Sequence, residues 1–291
     1  MRRNFIVQLR SVIAFAKREY VIWTSYKVNI VTWILDVFIN SALFFMLSLL
    51  MGKHANIAPY GNNYVSFVVL GLSAYYISYT NLGDPYDRVA RIYWNGTMDL
   101  YLLSPLSLVT PVIGIMYRSV LDDYPRVLLA FLFGTLFFGA AFRFMQPFTI
   151  LLIVILLGIS TFGIGMISAS SFFLLNLKVG TEPVKFIFQD IIIALAAGYF
   201  YPISVLPYSL QLVSSVLPHT YALDALRRLM IPGGNPNIPV LPIQKIWHVS
   251  PIFSDLVILL AMSVVFLFLG FYLYALGIER ARRNGTLTRW Q

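Results

Sequence analysis

Apolar runs of membrane-crossing length recur along this chain. Residues 144–177 contain no charged side chain, and comparable runs stand before and after them. A hydrocarbon core about 30 Å thick takes about 20 apolar residues of helix, because only the helix itself can satisfy backbone N–H and C=O groups there. The pattern predicts six spans: about Val28 to Met51, Tyr64 to Leu82, Val127 to Phe142, a stretch within Pro147 to Leu175, Phe186 to Tyr199, and Leu256 to Ile278. The third is only about 24 Å of helix as bounded, so it is expected to begin earlier. Ahead of the spans, Phe5, Leu9, Val12, Ala16, Tyr20 and Trp23 recur at helical spacing, while Arg3, Arg10 and Lys17 with Asn4, Ser11 and Arg18 fall on other faces. Residues 1–27 therefore read as an amphipathic helix lying in the interface, the alternative being a solvated helix packed on a partner. Between the fifth and sixth spans, Pro202, Pro207 and Pro218 break an uncharged stretch that cannot be one straight helix. Residues 201–251 are expected to hold short re-entrant helices and an outer loop, tolerated at depth only where protein or a water-filled cavity surrounds them. The fold class is an all-α integral membrane protein forming one domain, with a six-span bundle over 28–278 and a basic tail over 279–291.

Composition agrees with this frame. The chain is 59% hydrophobic and 11% charged, against roughly 25% charged residues in soluble domains, which excludes an ordinary soluble fold. The formal charge of +9 does not point to nucleic acid, because the basic residues lie beside apolar runs. With the N-terminus inside, every Lys and Arg except Lys53, Arg143, Arg227, Arg228 and Lys245 falls on the inner side, so both termini are expected in the cytoplasm of a cell membrane. The stretch before the first span is too long and polar for a basic n-region, so no cleavable signal peptide is expected. Without cysteine the chain has no disulfide, thiolate nucleophile or Cys-ligated metal. His54, His219 and His248 are far apart and read as ordinary loop or interface residues.

Candidate chemistry is sparse. Asp36 lies about 12 Å into the first span, either partnered by a neighbouring hydroxyl or amide or lining a translocation pathway. Tyr75, Tyr76 and Tyr79 are pathway candidates or interfacial anchors. Asp190 stands about one turn beyond Lys185, which suggests snorkelling or a local ion pair. Arg227 and Arg228 suit anionic headgroups, a phosphorylated substrate, or a solvated helix face. Arg118, Asp122 and Arg126 are spaced for pairing along one helix face, or Asp122 or Asp123 caps a helix with Pro125 in its first turn. Gly158, Ser160, Gly163, Gly165 and Ser168 suggest close helix packing. Gly52-Lys53 is followed by His54, so no phosphate loop exists and nucleotide hydrolysis would have to come from another subunit. A lipid-modifying enzyme would need a convergent polar constellation, and an ion-coupled transporter an internal repeat; neither is evident.

The loop over 83–107 is the most informative polar region. Asp84-Pro85 is a helix-start signal, Asn95-Gly96 a stop, and Thr97 a cap for a short helix from Met98 to Leu103 ending at Ser104-Pro105. The string Asn95-Gly96-Thr97-Met98-Asp99-Leu100-Tyr101-Leu102-Leu103-Ser104-Pro105-Leu106-Ser107 resembles the "G-T-(L/M)-(E/D)…L-L-x-(S/T)-P-(L/V)-S" loop of type-2 ABC exporter permeases. Phe200-Tyr201-Pro202-Ile203-Ser204-Val205-Leu206-Pro207, followed by Leu217-Pro218-His219-Thr220-Tyr221-Ala222-Leu223-Asp224-Ala225-Leu226-Arg227, is similar to that family's "(F/Y)-P-(L/I)-S-x-L-P … P-x-T-Y-x-x-D-x-(L/I)-R" segment. The resemblance, closest to the drug-efflux branch, implies a six-span subunit paired with a second copy. It implies a separate ABC ATPase partner that binds ATP and Mg, no catalysis or cofactor in this chain, and export of hydrophobic or amphipathic substrates such as drugs or lipid-like molecules, with lipid-linked glycans second. It further implies an ATPase-coupling element at Arg91, Trp94, Asn95, Gly96, Thr97, Asp99 and Leu103. Where the family often has "E-R-x-x-G-T", this chain has Arg91-Ile92-Tyr93-Trp94-Asn95, so its charge pattern toward the ATPase differs.

Overall fold

The computed structural model describes residues 5–25, 27–51, 57, 59–104, 108–176, 186–247 and 249–287. Expectations that rest on Lys53, His54, Lys178, Lys185, His248 and Arg289 lie outside them, as does the side chain of Arg118. The described residues are all-α, with no strand among them beyond an isolated bridge between Tyr60 and Gly234.

Helix α1 covers Phe5–Ser25 and α2 Lys27–Met51. The third helix, α3, runs Tyr64–Trp94 and begins at Asn63, whose side chain accepts a hydrogen bond from the Ser66 amide at 3.0 Å. It is continuous through Pro85, so the break expected at Asp84-Pro85 does not occur. Burial of the residues on both sides of Pro85 against neighbouring helices outweighs the helix-breaking cost of the proline. Proline leaves the carbonyl of Asn81 without its helical donor, and Gly165 of a neighbouring helix lies so close that an added Cβ would stand 2.1 Å from that oxygen.

After the short helix α4 (Met98–Leu103) comes α5, Val109–Phe138, which starts well before Val127, as the short third span required. Asp122, Asp123 and Pro125 are consequently mid-helix, not a helix start. Asp123 is buried and accepts a hydrogen bond from Thr80 of α3. Arg126 lies over the rings of Trp33 and Tyr76, at 5.5 and 5.9 Å from their centroids. Aromatic quadrupoles stabilise a cation held in that position.

Helix α6 spans Pro147–Leu174. Next, α7 (Phe186–Ala196) is π-helical as far as Ile193. A 3₁₀ turn, Ile203–Val205, leads to α8 (Tyr208–Ser214), α9 (Pro218–Met230), α10 (Pro242–Trp247) and α11 (Pro251–Arg283). Pro202 and Pro207 immediately precede short helices and Pro218 opens one, where a missing N–H costs nothing.

Among the described residues, four helices are long and apolar enough to cross a membrane: α2 through Ile30–Leu47, α3, α6 and α11. The expected third span is burdened by Arg118, Asp122, Asp123 and Arg126, and of the expected fifth, Phe186 to Tyr199, the described helix covers Phe186–Ala196, fewer than the roughly 20 residues of a crossing. Helices α6 and α11 make the most extensive contact, and α3 packs on α5 and α6. One core cluster gathers Phe67, Leu70, Tyr199, Tyr221 and Leu226; another gathers Tyr86, Tyr93, Met98, Phe172 and Tyr274. By contrast α2 leaves Val31, Leu35, Ile39, Leu43 and Met46 exposed, a face suited to hydrocarbon or another helix.

Candidate functional site

The end of α3 and the helix that follows it carry the residues of the loop motif. After Trp94 the chain reverses at Gly96, whose φ of +68° suits glycine. The amides of Asn95, Gly96 and Thr97 donate to the carbonyls of Arg91, Tyr93 and Ile92 at 3.0, 3.0 and 3.1 Å. The Thr97 hydroxyl also donates to Ile92 O at 3.1 Å. It therefore ties α4 back onto α3 and does not cap α4 through its side chain, as had been expected. Half-buried Asp99 occupies the first turn of α4, where negative charge is favoured.

A buried foot and an exposed tip make α4 a lever. Met98 is buried in the cluster that also holds Ile92, Tyr93, Phe172 and Phe173, which seats the base of α4 against α3 and α6. Tyr101 stacks on Phe15 of α1 with centroids 6.3 Å apart. At the other end Leu103 is 86% exposed, and Leu100 and Trp94 are exposed as well. Arg91 and Asn95 are exposed on the last turns of α3. Thus the structure brings Arg91, Trp94, Asn95, Gly96, Thr97, Asp99 and Leu103 together around one turn and one short helix.

The pathway candidates share one neighbourhood without forming a single lining. Tyr76 is buried, whereas Tyr75 and Tyr79 are half-buried, with ring centroids 5.5 Å apart. Tyr75 meets Tyr199 edge to face at 5.8 Å. Asp36 is exposed on α2, and its Oδ1 accepts from the Asn40 side-chain amide at 2.9 Å, the amide partner considered from sequence. Asp190 is exposed on α7.

No protein-family model and no curated protein matches this chain.

At the far end of α3 the structure corrects three sequence expectations. Arg227 and Arg228 are buried, not solvated. Arg228 donates to Asp224 through Nε at 2.8 Å and Nη2 at 3.2 Å, while Tyr60 and Gln244 donate to the same carboxylate at 2.5 and 2.7 Å. Gln244 also donates to Asp255 at 2.7 Å, which joins α9, α10 and α11. The Arg227 guanidinium lies 3.4 Å from the Phe67 ring centroid and donates to Tyr199 O at 2.7 Å. His219 is not an ordinary loop residue: it is fully buried, and its Nε2 is 2.9 Å from Ser78 Oγ. These residues escaped the sequence reading because a charge looks solvated until its partner is known. The i, i+4 spacing of Asp224 and Arg228 was the available signal.

Proposed function

We propose that this chain is the membrane-spanning permease subunit of an ATP-driven ABC exporter. The observation that carries the reading is α4, a short helix with its foot buried in the core at Met98 and its tip exposed at Leu103. A separate ATPase, binding ATP and Mg, grips that tip, and closure of two ATPase subunits pushes α4 against α3 and α6. Because the base of α4 is packed, a push tilts those helices and is not absorbed locally. Nucleotide binding drives the change only through its differential affinity for the two arrangements.

In this reading the six spans are α2, α3, α5, α6, α7 with its re-entrant continuation, and α11, and both termini are cytoplasmic in the cell membrane. The exposed apolar face of α2 is available to a second copy or to lipid. Hydrophobic or amphipathic substrates, drugs or lipid-like molecules first and lipid-linked glycans second, pass near Asp36, Tyr75, Tyr76 and Tyr79. The buried Tyr60–Asp224–Arg228 group holds the re-entrant segment of Pro202, Pro207 and Pro218 against α3 and α11.

The test is purification of the tagged full chain from its native membrane in mild detergent. A stoichiometric partner carrying a G-x-x-x-x-G-K-(S/T) loop is expected. In that complex Leu103→Asp should lower substrate-stimulated ATP turnover about tenfold or more, the effect of losing a central interface contact, while the chain alone elutes unchanged on gel filtration. An ATPase-free particle, or unchanged turnover in the variant, overturns the proposal.

A further inference from the structure

Beside α4 lies a cleft of about 470 Å³ that the lever does not explain. Its polar lining comes from three helices: Arg18 of α1, Arg88, Arg91 and Asn95 on one face of α3, and Thr97 and Ser104 bracketing α4. Three guanidiniums converge on this space. None of the described residues that line it is acidic; Glu19, which is buried, stands 3.3 Å from Arg88 Nη1 and 3.8 Å from Arg18 Nη1. The charged side chains that line the cleft are therefore all cations.

Arg88 is the informative member. It is only 8% exposed, its guanidinium rests 5.7 Å from the Phe15 ring centroid, and its buried Nε has no hydrogen-bond partner among the described residues. A buried guanidinium is costly unless its donors are met. Arg91 and Arg18 reach the same space from the solvent side, with an Arg18 side chain 55% exposed. Planar guanidinium forks set around a concavity match the oxygens of a phosphate better than a single carboxylate.

Position selects the source. Arg88 stands six residues, about 9 Å of helix, beyond Leu82, where the apolar run of α3 ends, and headgroups occupy the layer just outside the hydrocarbon. The remaining wall is α1, whose amphipathic pattern places it in that layer. Ile92, Leu100 and Tyr101 supply an apolar side for the carbon skeleton of a headgroup. Basic clefts between helices at this level bind anionic headgroups. We propose that the cleft between α1, α3 and α4 is a phosphate receptor, filled by the head of an anionic phospholipid that fastens the interfacial helix to the lever.

The test uses the full chain, purified in neutral detergent and stripped of lipid, with bound lipid counted by native mass spectrometry. Phosphatidylglycerol and phosphatidylcholine are compared, and inorganic phosphate is added as a competitor. The wild-type chain is expected to retain phosphatidylglycerol preferentially, and Arg18→Gln and Arg91→Gln should each weaken that preference about fivefold, the fold-change of a surface guanidinium near anionic lipid. Both arginines are partly or fully exposed, so these variants keep the fold even if Arg88→Gln does not. Neutralising the exposed Arg280, Arg282 and Arg283, which do not line the cleft, should weaken the preference less than the Arg18→Gln, Arg91→Gln double variant does. Displacement of the lipid by inorganic phosphate would keep the phosphate receptor and assign it to a soluble phosphate. An Arg18→Gln, Arg91→Gln double variant with the wild-type preference overturns the proposal, as does loss of ATPase binding in that variant with lipid retention unchanged. The lipid measurement needs no ATPase, so its failure and that of the exporter reading are separable.

Discussion

Replacing Asp224 with alanine is expected to destabilise the protein by about 3–5 kcal/mol, the cost of stranding a buried charge. Asp224 is 2% exposed and accepts from Arg228, Tyr60 and Gln244. Removing the carboxylate leaves the Arg228 guanidinium buried, with the carbonyl of Asn235, 2.7 Å from Nη1, as its remaining hydrogen-bond acceptor among the described residues. The loss spreads, because the same group ties the loop at Tyr60, α9, α10 and α11 together. Arg228→Ala should cost a comparable amount, and the double variant less than the sum, since each single change strands the other's charge. Thermal unfolding in detergent, followed by tryptophan fluorescence, reads this directly. Equal midpoints for wild type and Asp224→Ala would mean that the cluster contributes little.

Acid should act through the same carboxylate. Burial opposes ionisation of Asp224, but the charge of Arg228 and the hydrogen bonds it receives outweigh this and hold its pKa below the ordinary value. The unfolded chain therefore binds the extra proton first as pH falls. The stabilisation is complete above the ordinary carboxylate value of about 3.9 and is lost as pH falls through the lower folded-state value. Tyr60, Arg227, Arg228 and Asp255 are the charged and titratable groups that face it. An Asp224→Asn chain should lose midpoint at every pH above that window and show a shallower acid limb within it.

The second large effect is expected at the crossing of α6 and α11. A Cβ on Gly163 would stand 2.5 Å from the Phe266 carbonyl carbon and 2.6 Å from the Leu267 amide nitrogen, and one on Gly270 would stand 2.4 Å from Gly163 O. These neighbours are backbone atoms, which cannot swing aside. Inside a bilayer hydrocarbon is as apolar as leucine, so helix pairs depend on close approach for their attraction. Gly163→Val should therefore cost at least the 1–3 kcal/mol typical of overpacking, and Gly270→Val should behave alike. The pair should be less than additive, because either substitution alone prises the helices apart. Gly158→Ala is the control: its Cβ would meet only Tyr124 Oη at 3.8 Å and Asn81 Nδ2 at 3.9 Å, and its midpoint should stay near wild type. A Gly163→Val midpoint as high as that of Gly158→Ala would refute the close-approach argument.

The glycines illustrate how far a sequence reading reaches. Small residues at 158, 163 and 165 announce a packed helix, yet nothing local tells Gly163, against the backbone of α11, and Gly165, against the Asn81 carbonyl, from Gly158, which has room. Pro85 teaches the same lesson in reverse. Its chemistry argues for a helix boundary, yet packing on neighbouring helices carries α3 straight through it, with Gly165 of α6 seated against the carbonyl that the proline leaves without a donor. The turn at Asn95-Gly96 was legible because a positive φ is a local demand. That Thr97 bonds backward to Ile92 and not forward into α4 depended on how the two helices meet.

Read alone, the sequence determined the apolar helices that could cross a membrane, the helix over Phe5–Ser25, the proline-led short helices after residue 201, and the turn and short helix around Thr97. These follow from periodicity, solvation and backbone restrictions that act over a few residues. Tertiary structure alone decided that Arg227, Arg228 and His219 are buried, that Met98 anchors α4, and that Arg18 from one helix faces Arg88 and Arg91 from another. The energy of a charge depends on which partners distant parts of the chain bring within a few ångströms, and no local pattern encodes that distance.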